Sequence, residues 1–167
     1  YITQGFIASS TSPKTTTTLG REGSDFTAAI FANCLEAEEL TIWKDVDGLR
    51  NADPKRFPDT QKIEHLSYFE AIELAFYGAS IIHPNTLKPL QNKNIPLKVR
   101  SFLDTSLEPS VIDGTKEYIE YVPSFIVKEK QTLMSITPRD YSFMNEHNRA
   151  LIFNIMDELN IHANMTQ

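Results

Sequence analysis

A guanidinium, a hydroxyl and two carboxylates are interleaved with glycines in the string Thr15-Thr16-Thr17-Thr18-Leu19-Gly20-Arg21-Glu22-Gly23-Ser24-Asp25-Phe26. Residue types in this order can bind an anion. Arg21 offers a planar fork that grips a carboxylate or phosphate at two points. The glycines let the backbone turn tightly and approach a ligand. A helix opening directly behind them would add first-turn N–H groups that have no partner inside the helix. Asp25 sits where an N-cap belongs, or where a carboxylate could orient neighbouring cations. The plainer alternative is a tight turn at Gly20 and Gly23, with Ser24 capping a helix.

A second charged stretch runs Ile42-Trp43-Lys44-Asp45-Val46-Asp47-Gly48-Leu49-Arg50-Asn51-Ala52-Asp53-Pro54-Lys55. Asp45, Asp47 and Asp53 invite comparison with a calcium loop. That reading fails because the glycine falls at the fourth position rather than the sixth, and no glutamate closes the loop at the twelfth. His83, just before Pro84, could be a general base, although a structural hydrogen bond at a helix entry is the simpler role. His65, His147, His162 and Cys34 show no metal-ligand spacing. Lys14 lies in a polar loop and reads as solvated surface.

These residues need elements to position them. Residues 2–8 read as a buried strand and residues 9–18 as a polar loop. Phe26, Ala29, Ile30 and Asn33-Cys34 recur at helical spacing. Residues 40–43 and 95–102 read as strands, and residues 80–82 as a short one. Ser67 three residues ahead of Glu70 is a capping-box signature for a helix that Gly78 ends. His83-Pro84 opens another short helix, and Asp53-Pro54-Lys55 is a turn. Strands alternating with helices over residues 1–112 predict an α/β fold with a mainly parallel sheet flanked by helices. Ligands in such folds lie beyond the carboxyl ends of strands, where residues 20–25 and 44–55 would share one crevice.

After a connector over residues 113–122 the pattern restarts. Residues 125–127, 132–136 and 161–165 are strand candidates. Residues 145–159 form a helix with Leu151, Ile152, Ile155, Met156 and Leu159 on one face and Asn160 as its C-terminal cap. A β-α-β piece this short cannot close its own sheet, so it reads as half of a small domain that either docks its helix face on a second copy of the chain or is poorly ordered.

Composition sets the bounds. The chain has 167 residues, 41% hydrophobic and 23% charged, which is globular rather than disordered. A net charge of −6 argues against nucleic acid or an anionic membrane as the main partner. One cysteine gives no disulfide framework and points to the reducing cytoplasm. No apolar run approaches the roughly 20 residues that span a bilayer. The chain opens on Tyr1 and reads as an excised piece of a longer protein.

The string Leu19-Gly20-Arg21-Glu22-Gly23-Ser24-Asp25 resembles the aspartate kinase signature, usually Leu-Gly-Arg-Gly-Gly-Ser-Asp, with Glu22 in place of the first paired glycine. Residues 42–55 resemble that family's Ile-Trp-Thr-Asp-Val-Pro-Gly-Ile-Tyr-Thr-Thr-Asp-Pro-Arg. Lys44 stands for threonine, Arg50 for tyrosine and Lys55 for arginine. Residues 76–84 are similar to its Phe-Gly-Ala-Lys-Val-Leu-His-Pro, with Ser80 where many members have a lysine.

The resemblance implies the C-terminal, nucleotide-binding part of an amino-acid kinase domain over 1–112, a linker over 113–122, and the first half of a ferredoxin-like ACT regulatory domain over 123–167. It implies ATP-dependent phosphorylation of the L-aspartate side-chain carboxylate, with ATP and Mg²⁺ required. Arg21, Glu22, Gly23 and Ser24 would bind substrate and Asp25 would be catalytic. Lys44, Asp45, Arg50, Lys55, Ser80 and Ile81 would bind nucleotide, and no residue is assigned to metal. An amino-acid effector would bind the ACT unit near residues 141–147, in a homodimer. The family's Lys-Phe-Gly-Gly-Thr-Ser motif does not occur here, so the piece alone is expected to be inactive. The alternative is a non-catalytic regulatory subunit that senses amino acids.

Overall fold

Threonine-rich and apolar segments at the start of the chain make a hairpin rather than a buried strand. β1 (Ile7–Ser9) pairs antiparallel with β2 (Thr16–Thr18), placing Ile7 opposite Thr18 and Ser9 opposite Thr16. Ile7 is 52% exposed, because two strands alone make no second layer to bury it. The polar loop expected over 9–18 therefore ends in a strand, as a run of β-branched threonines favours. The computed structural model describes residues 1–79, 82–115, 122–139 and 143–166. They fall into two units, Tyr1–Val127 and Lys128–Gln167.

The first unit continues with α1 (Gly23–Leu35), β3 (Leu40–Lys44), β4 (Leu49–Arg50), β5 (Lys62–Ile63), β6 (His65–Ser67), α2 (Tyr68–Tyr77), α3 (Pro84–Lys93), β7 (Leu97–Ser101) and β8 (Ser110–Asp113). The main sheet has the order β3-β7-β8-β6. β3 and β7 run parallel with Leu40 opposite Leu97 and Lys44 opposite Ser101; β6 and β8 also run parallel. β7 and β8 are antiparallel, so the sheet is mixed. β7 alternates: Leu97, Val99 and Ser101 are buried, while Lys98 and Arg100 point to the other face and are only half-buried. The core comprises Leu87, Leu90, Leu97, Val99 and Ile112 with Ala29 and Ala32 of α1. The small alanines let α1 approach α3, where Asn33 Nδ2 donates to the Pro89 carbonyl at 2.7 Å.

Local signals place the helix ends. The α2 capping box forms: the Glu70 N–H donates to Ser67 Oγ and the Ser67 N–H donates back to Glu70 Oε2. Gly78 closes α2 at φ +110°. α3 begins at Pro84, whose missing N–H would have no helical partner anyway.

β5, β6 and β8 were not legible as strands. Each is two to four residues long and is stabilised by distant partners. Residues 80 and 81 of the expected short strand lie outside the described residues, as do 116–121 of the expected linker.

The first unit extends past that linker, through Val127. Phe125 donates its N–H to the Asn51 carbonyl at 2.7 Å, and Asn51 Nδ2 donates to the Pro123 carbonyl at 3.0 Å. In the second unit, α4 (Glu146–Glu158) forms with Asn145 Oδ1 accepting the Asn148 N–H. Asn160 takes the left-handed conformation just past its end, and the Ile161 N–H returns to the Met156 carbonyl, a Schellman closure. Among the described residues of 123–167, the expected strands do not form beyond a bridge between Phe125 and Ala52. A β-ladder requires a partner strand for its N–H and C=O groups, and α4 alone supplies none.

Candidate functional site

The glycine turn is built from its backbone. Gly20 has φ +79° and accepts the Gly23 N–H at 3.1 Å. Glu22 is the residue that precedes α1, in the left-handed conformation at φ 54°, and its side chain does not cap the helix. This corrects the expectation that Asp25 or Ser24 is the N-cap: both lie inside the first turn. The left-handed geometry also gives a physical reason why glycine suits position 22. Gly23 is close-packed, since a Cβ there would lie 2.7 Å from the edge of the Phe6 ring.

Glu22 reaches across to α3, where its Oε2 accepts the His83 N–H at 2.9 Å. His83 Nδ1 accepts the Asn85 N–H at 3.2 Å and so caps α3, the simpler of the two roles weighed for it. Arg21 is exposed at the mouth of a recess of about 110 Å³, lined also by Glu22, Gly78, Ala79, Ile82 and His83. Ser24 is exposed on the same turn.

Asp25 joins this turn to the second stretch. Lys44 Nζ lies 3.3 Å from Asp25 Oδ2, with the two side chains 26% and 21% exposed. The contact follows from topology. α1 runs away from the glycine turn and β3 runs back, so the carboxyl end of β3 arrives beside the first helical turn. A carboxylate in that turn is also favoured by the helix dipole. The Phe102 N–H donates to the Lys44 carbonyl at 3.0 Å, bringing the carboxyl end of β7 to the same edge.

Residues 45–63 form a braced segment. Gly48, at φ +140°, passes so close to Ser110 that a Cβ would lie 2.4 Å from its Oγ. Buried Ser110 accepts the Leu49 N–H at 2.8 Å and donates to the Ile63 carbonyl at 2.6 Å. Arg50 was expected at the nucleotide, but its guanidinium is engaged within the segment. It makes a two-point contact with Asp47, at 3.2 and 2.8 Å, and donates to Thr60 O and Oγ1 at 2.9 and 3.0 Å. Lys55 and Asp45 are exposed. The Lys55 N–H donates to Asp53 Oδ1 at 2.9 Å, which fixes the Asp53-Pro54 turn. Ser80 and Ile81 lie outside the described residues. Among the described residues, no group of three or more His, Cys, Asp or Glu could hold a metal ion. No helix among them is long and apolar enough to cross a membrane.

Sequence reasoning gave His65 no role. It pairs β6 to β8, with Nε2 2.9 Å from Asp113 Oδ1. Burial alone would raise the Asp113 carboxyl, but hydrogen bonds from Thr115 and His65 hold it below its ordinary value. Burial, with the Asp113 charge adding, pushes the Tyr68 hydroxyl up to about 12, and that hydroxyl donates to the Ile95 carbonyl. No local signal announces this cluster, whose members come from distant segments.

A model of the amino acid kinase family matches residues 1–101. The maize bifunctional aspartokinase/homoserine dehydrogenase 1, chloroplastic, is 43% identical over 111 residues, covering 66% of this chain and 12% of that protein. Lysine-sensitive aspartokinase 3 of Escherichia coli K12 is 35% identical over 167 residues, covering 98% of this chain and 36% of that protein. Among solved structures, E. coli aspartokinase III in complex with aspartate and ADP, in its R-state, matches with a TM-score of 0.64 at 39% identity. That match covers 68% of this chain and 25% of the other. The chain thus spans 12% and 36% of the lengths of these two curated relatives.

Proposed function

This chain belongs to the amino acid kinase family, and from that premise we propose that the protein carrying it is an aspartate kinase. It transfers the γ-phosphoryl group of ATP to the side-chain carboxylate of L-aspartate. The product is 4-phospho-L-aspartate, the entry to lysine, threonine and methionine biosynthesis in the cytoplasm. The observation that carries this reading is the contact between Asp25 and Lys44, which joins the glycine turn to the strand-following segment and supports reading them as one site.

The chemistry suits these residues. The aspartate side chain, with an ordinary pKa near about 3.9, is already ionised at neutral pH and needs no general base. Its oxygen forms a bond to the γ-phosphorus while the bond to the β,γ-bridging oxygen breaks, and that electron pair leaves with ADP. Catalysis is therefore positioning plus cationic stabilisation. Arg21, exposed at the turn, grips an aspartate carboxylate, and Ser24 and the turn amide of Glu22 assist, the Gly23 N–H being taken by the Gly20 carbonyl. Asp25 orients cations at the reacting phosphate. Asp45 and Lys55 serve the nucleotide, the role the family resemblance also gives to Ser80 and Ile81, and Arg50 holds residues 45–63 in shape through Asp47 and Thr60.

Mg²⁺ would neutralise phosphate charge. It characteristically draws its ligands from phosphates and water with few carboxylates. The second unit, Lys128–Gln167, begins an ACT domain that binds an amino-acid effector in a homodimer. The large apolar side chains left exposed on α4 and at its C-cap, Leu151, Ile155 and Leu159 among them, support a covering partner.

The test uses the whole protein that carries this chain. Acyl phosphate formed from ATP and L-aspartate is trapped with hydroxylamine, and hydroxamate is measured. Arg21→Ala should raise the aspartate KM with kcat little changed, because that grip is made equally in ground and transition states. ATP turnover indifferent to aspartate would sink the proposal. A non-catalytic amino-acid sensor is the second reading, favoured by the engaged guanidinium of Arg50; it predicts amino-acid binding with no hydroxamate.

A further inference from the structure

We infer that Lys44 is the cation that neutralises the transferring phosphoryl group, with Asp25 as its positioning residue. The inference deepens the kinase reading and rests on it. A lysine at the end of a strand ordinarily extends its stem and leaves its ammonium in water. Lys44 does not. Its side chain is only 26% exposed and crosses to another element, where it meets Asp25 at 3.3 Å. Its backbone is fixed as well, paired with Ser101 across the sheet and accepting the Phe102 N–H.

The location is unfavourable for a cation on its own. The first turn of α1 presents the positive end of a helix dipole, which repels an ammonium and attracts anions. Asp25 offsets that repulsion only in part, since one carboxylate serves both the dipole and the lysine. An additional anion would be welcomed by both. An ammonium carries three N–H donors; Lys44 meets Asp25 as an ion pair, and among the described residues it makes no hydrogen bond to another acceptor, which leaves donor capacity for a ligand.

The other cations of the site are committed differently. Arg50 is held by four hydrogen bonds inside its own segment. Arg21 and Lys55 are exposed, and Ser80 supplies no charge. Of these five positions, Lys44 alone combines a fixed, half-buried ammonium with donors left open among the described residues. During transfer it would donate to a non-bridging γ-oxygen as charge builds there, keeping its own proton throughout. It forms no covalent bond.

A γ-phosphate contact predicts discrimination between ATP and ADP, because only ATP carries that group. In the whole protein, titration calorimetry should show Lys44→Met weakening ATP about tenfold or more while ADP affinity stays within about twofold. The same variant should lose about 100- to 1000-fold in kcat, as when one preorganised donor to developing charge is removed. Its aspartate KM should be unchanged. Lys44→Arg keeps the charge and should recover part of both losses. Asp25→Asn should shift the ATP-to-ADP ratio in the same direction by a smaller factor, a result that a merely structural carboxylate would not give. Equal weakening of ATP and ADP by Lys44→Met, or no change in either, would overturn the inference. Absence of aspartate-dependent hydroxamate in the unaltered protein would sink the kinase reading instead, while the ATP-to-ADP ratio would still report on Lys44.

Discussion

In the turn over residues 20–25 the backbone does the holding, whereas in the segment over residues 45–63 side chains do. The turn owes its shape to Gly20 at φ +79°, to left-handed Glu22 and to a Gly23 that seats Phe6. The segment owes its shape to Ser110 between Leu49 and Ile63, to Arg50 on Asp47 and Thr60, and to Asn51, whose side chain accepts the Gln61 N–H. One loop is specified by residues adjacent in sequence, the other by a buried hydroxyl some sixty residues away. Backbone specification can be read from glycine placement. Side-chain bracing from a distant strand cannot.

The largest expected effect breaks the segment at its closest approach. Gly48→Ala would set a Cβ 2.4 Å from Ser110 Oγ and 2.9 Å from Lys62 Cε, at φ +140°, where a Cβ is strained in any case. Ser110 cannot swing aside without losing both its hydrogen bonds. A loss of about 3 kcal/mol is expected from urea unfolding of the whole protein. Gly23→Ala meets the Phe6 ring edge at 2.7 Å, but Phe6 is 42% exposed and can move. A loss of about 1 kcal/mol is expected there. Comparable losses at both glycines would erase the distinction between the loops.

Ser110→Ala comes next. It leaves the Leu49 N–H and the Ile63 carbonyl without their buried partner, at a cost of about 2 kcal/mol. Hydrogen exchange at the Leu49 amide should accelerate in step. Unchanged exchange at Leu49 would show that backbone pairing between β4 and β5 suffices and that Ser110 is not the brace.

The same division decides what the sequence made legible. Ser67 with Glu70, Gly78, Pro84 and Asn145 mark helix ends through contacts within a few residues, and all of those ends form. β3 and β7 are five residues long, one rich in strand formers and the other alternating apolar with charged residues, and they stand out by pattern. β6 and β8 are shorter and depend on each other and on β7, at separations that no local pattern encodes. Within the site, Arg21, Ser24 and Asp25 stood out by spacing. The attachment of Asp25 to Lys44 required the return of β3 beside α1, and the engagement of Arg50 required Thr60. A lone arginine in a charged run cannot show whether its fork is aimed at a ligand or at its own loop.

The smallest expected effect sharpens the backbone side of the comparison. Glu22 combines an opposing pair of terms: a left-handed conformation that disfavours any side chain, and a carboxylate that accepts the His83 N–H at 2.9 Å. Glu22→Ala removes the hydrogen bond and keeps the unfavourable conformation, so a loss of about 1 kcal/mol is expected. Glu22→Gly removes both, and the relief of roughly 1 kcal/mol at a left-handed position should bring stability back near its starting value. The glycine variant should therefore be more stable than the alanine variant by about 1 kcal/mol, read as a difference in urea midpoints at constant slope. Glycine loses more freedom than alanine on folding, so at a position with ordinary backbone angles the order would reverse. Alanine equal to or better than glycine at position 22 would mean that the turn does not depend on left-handed geometry there.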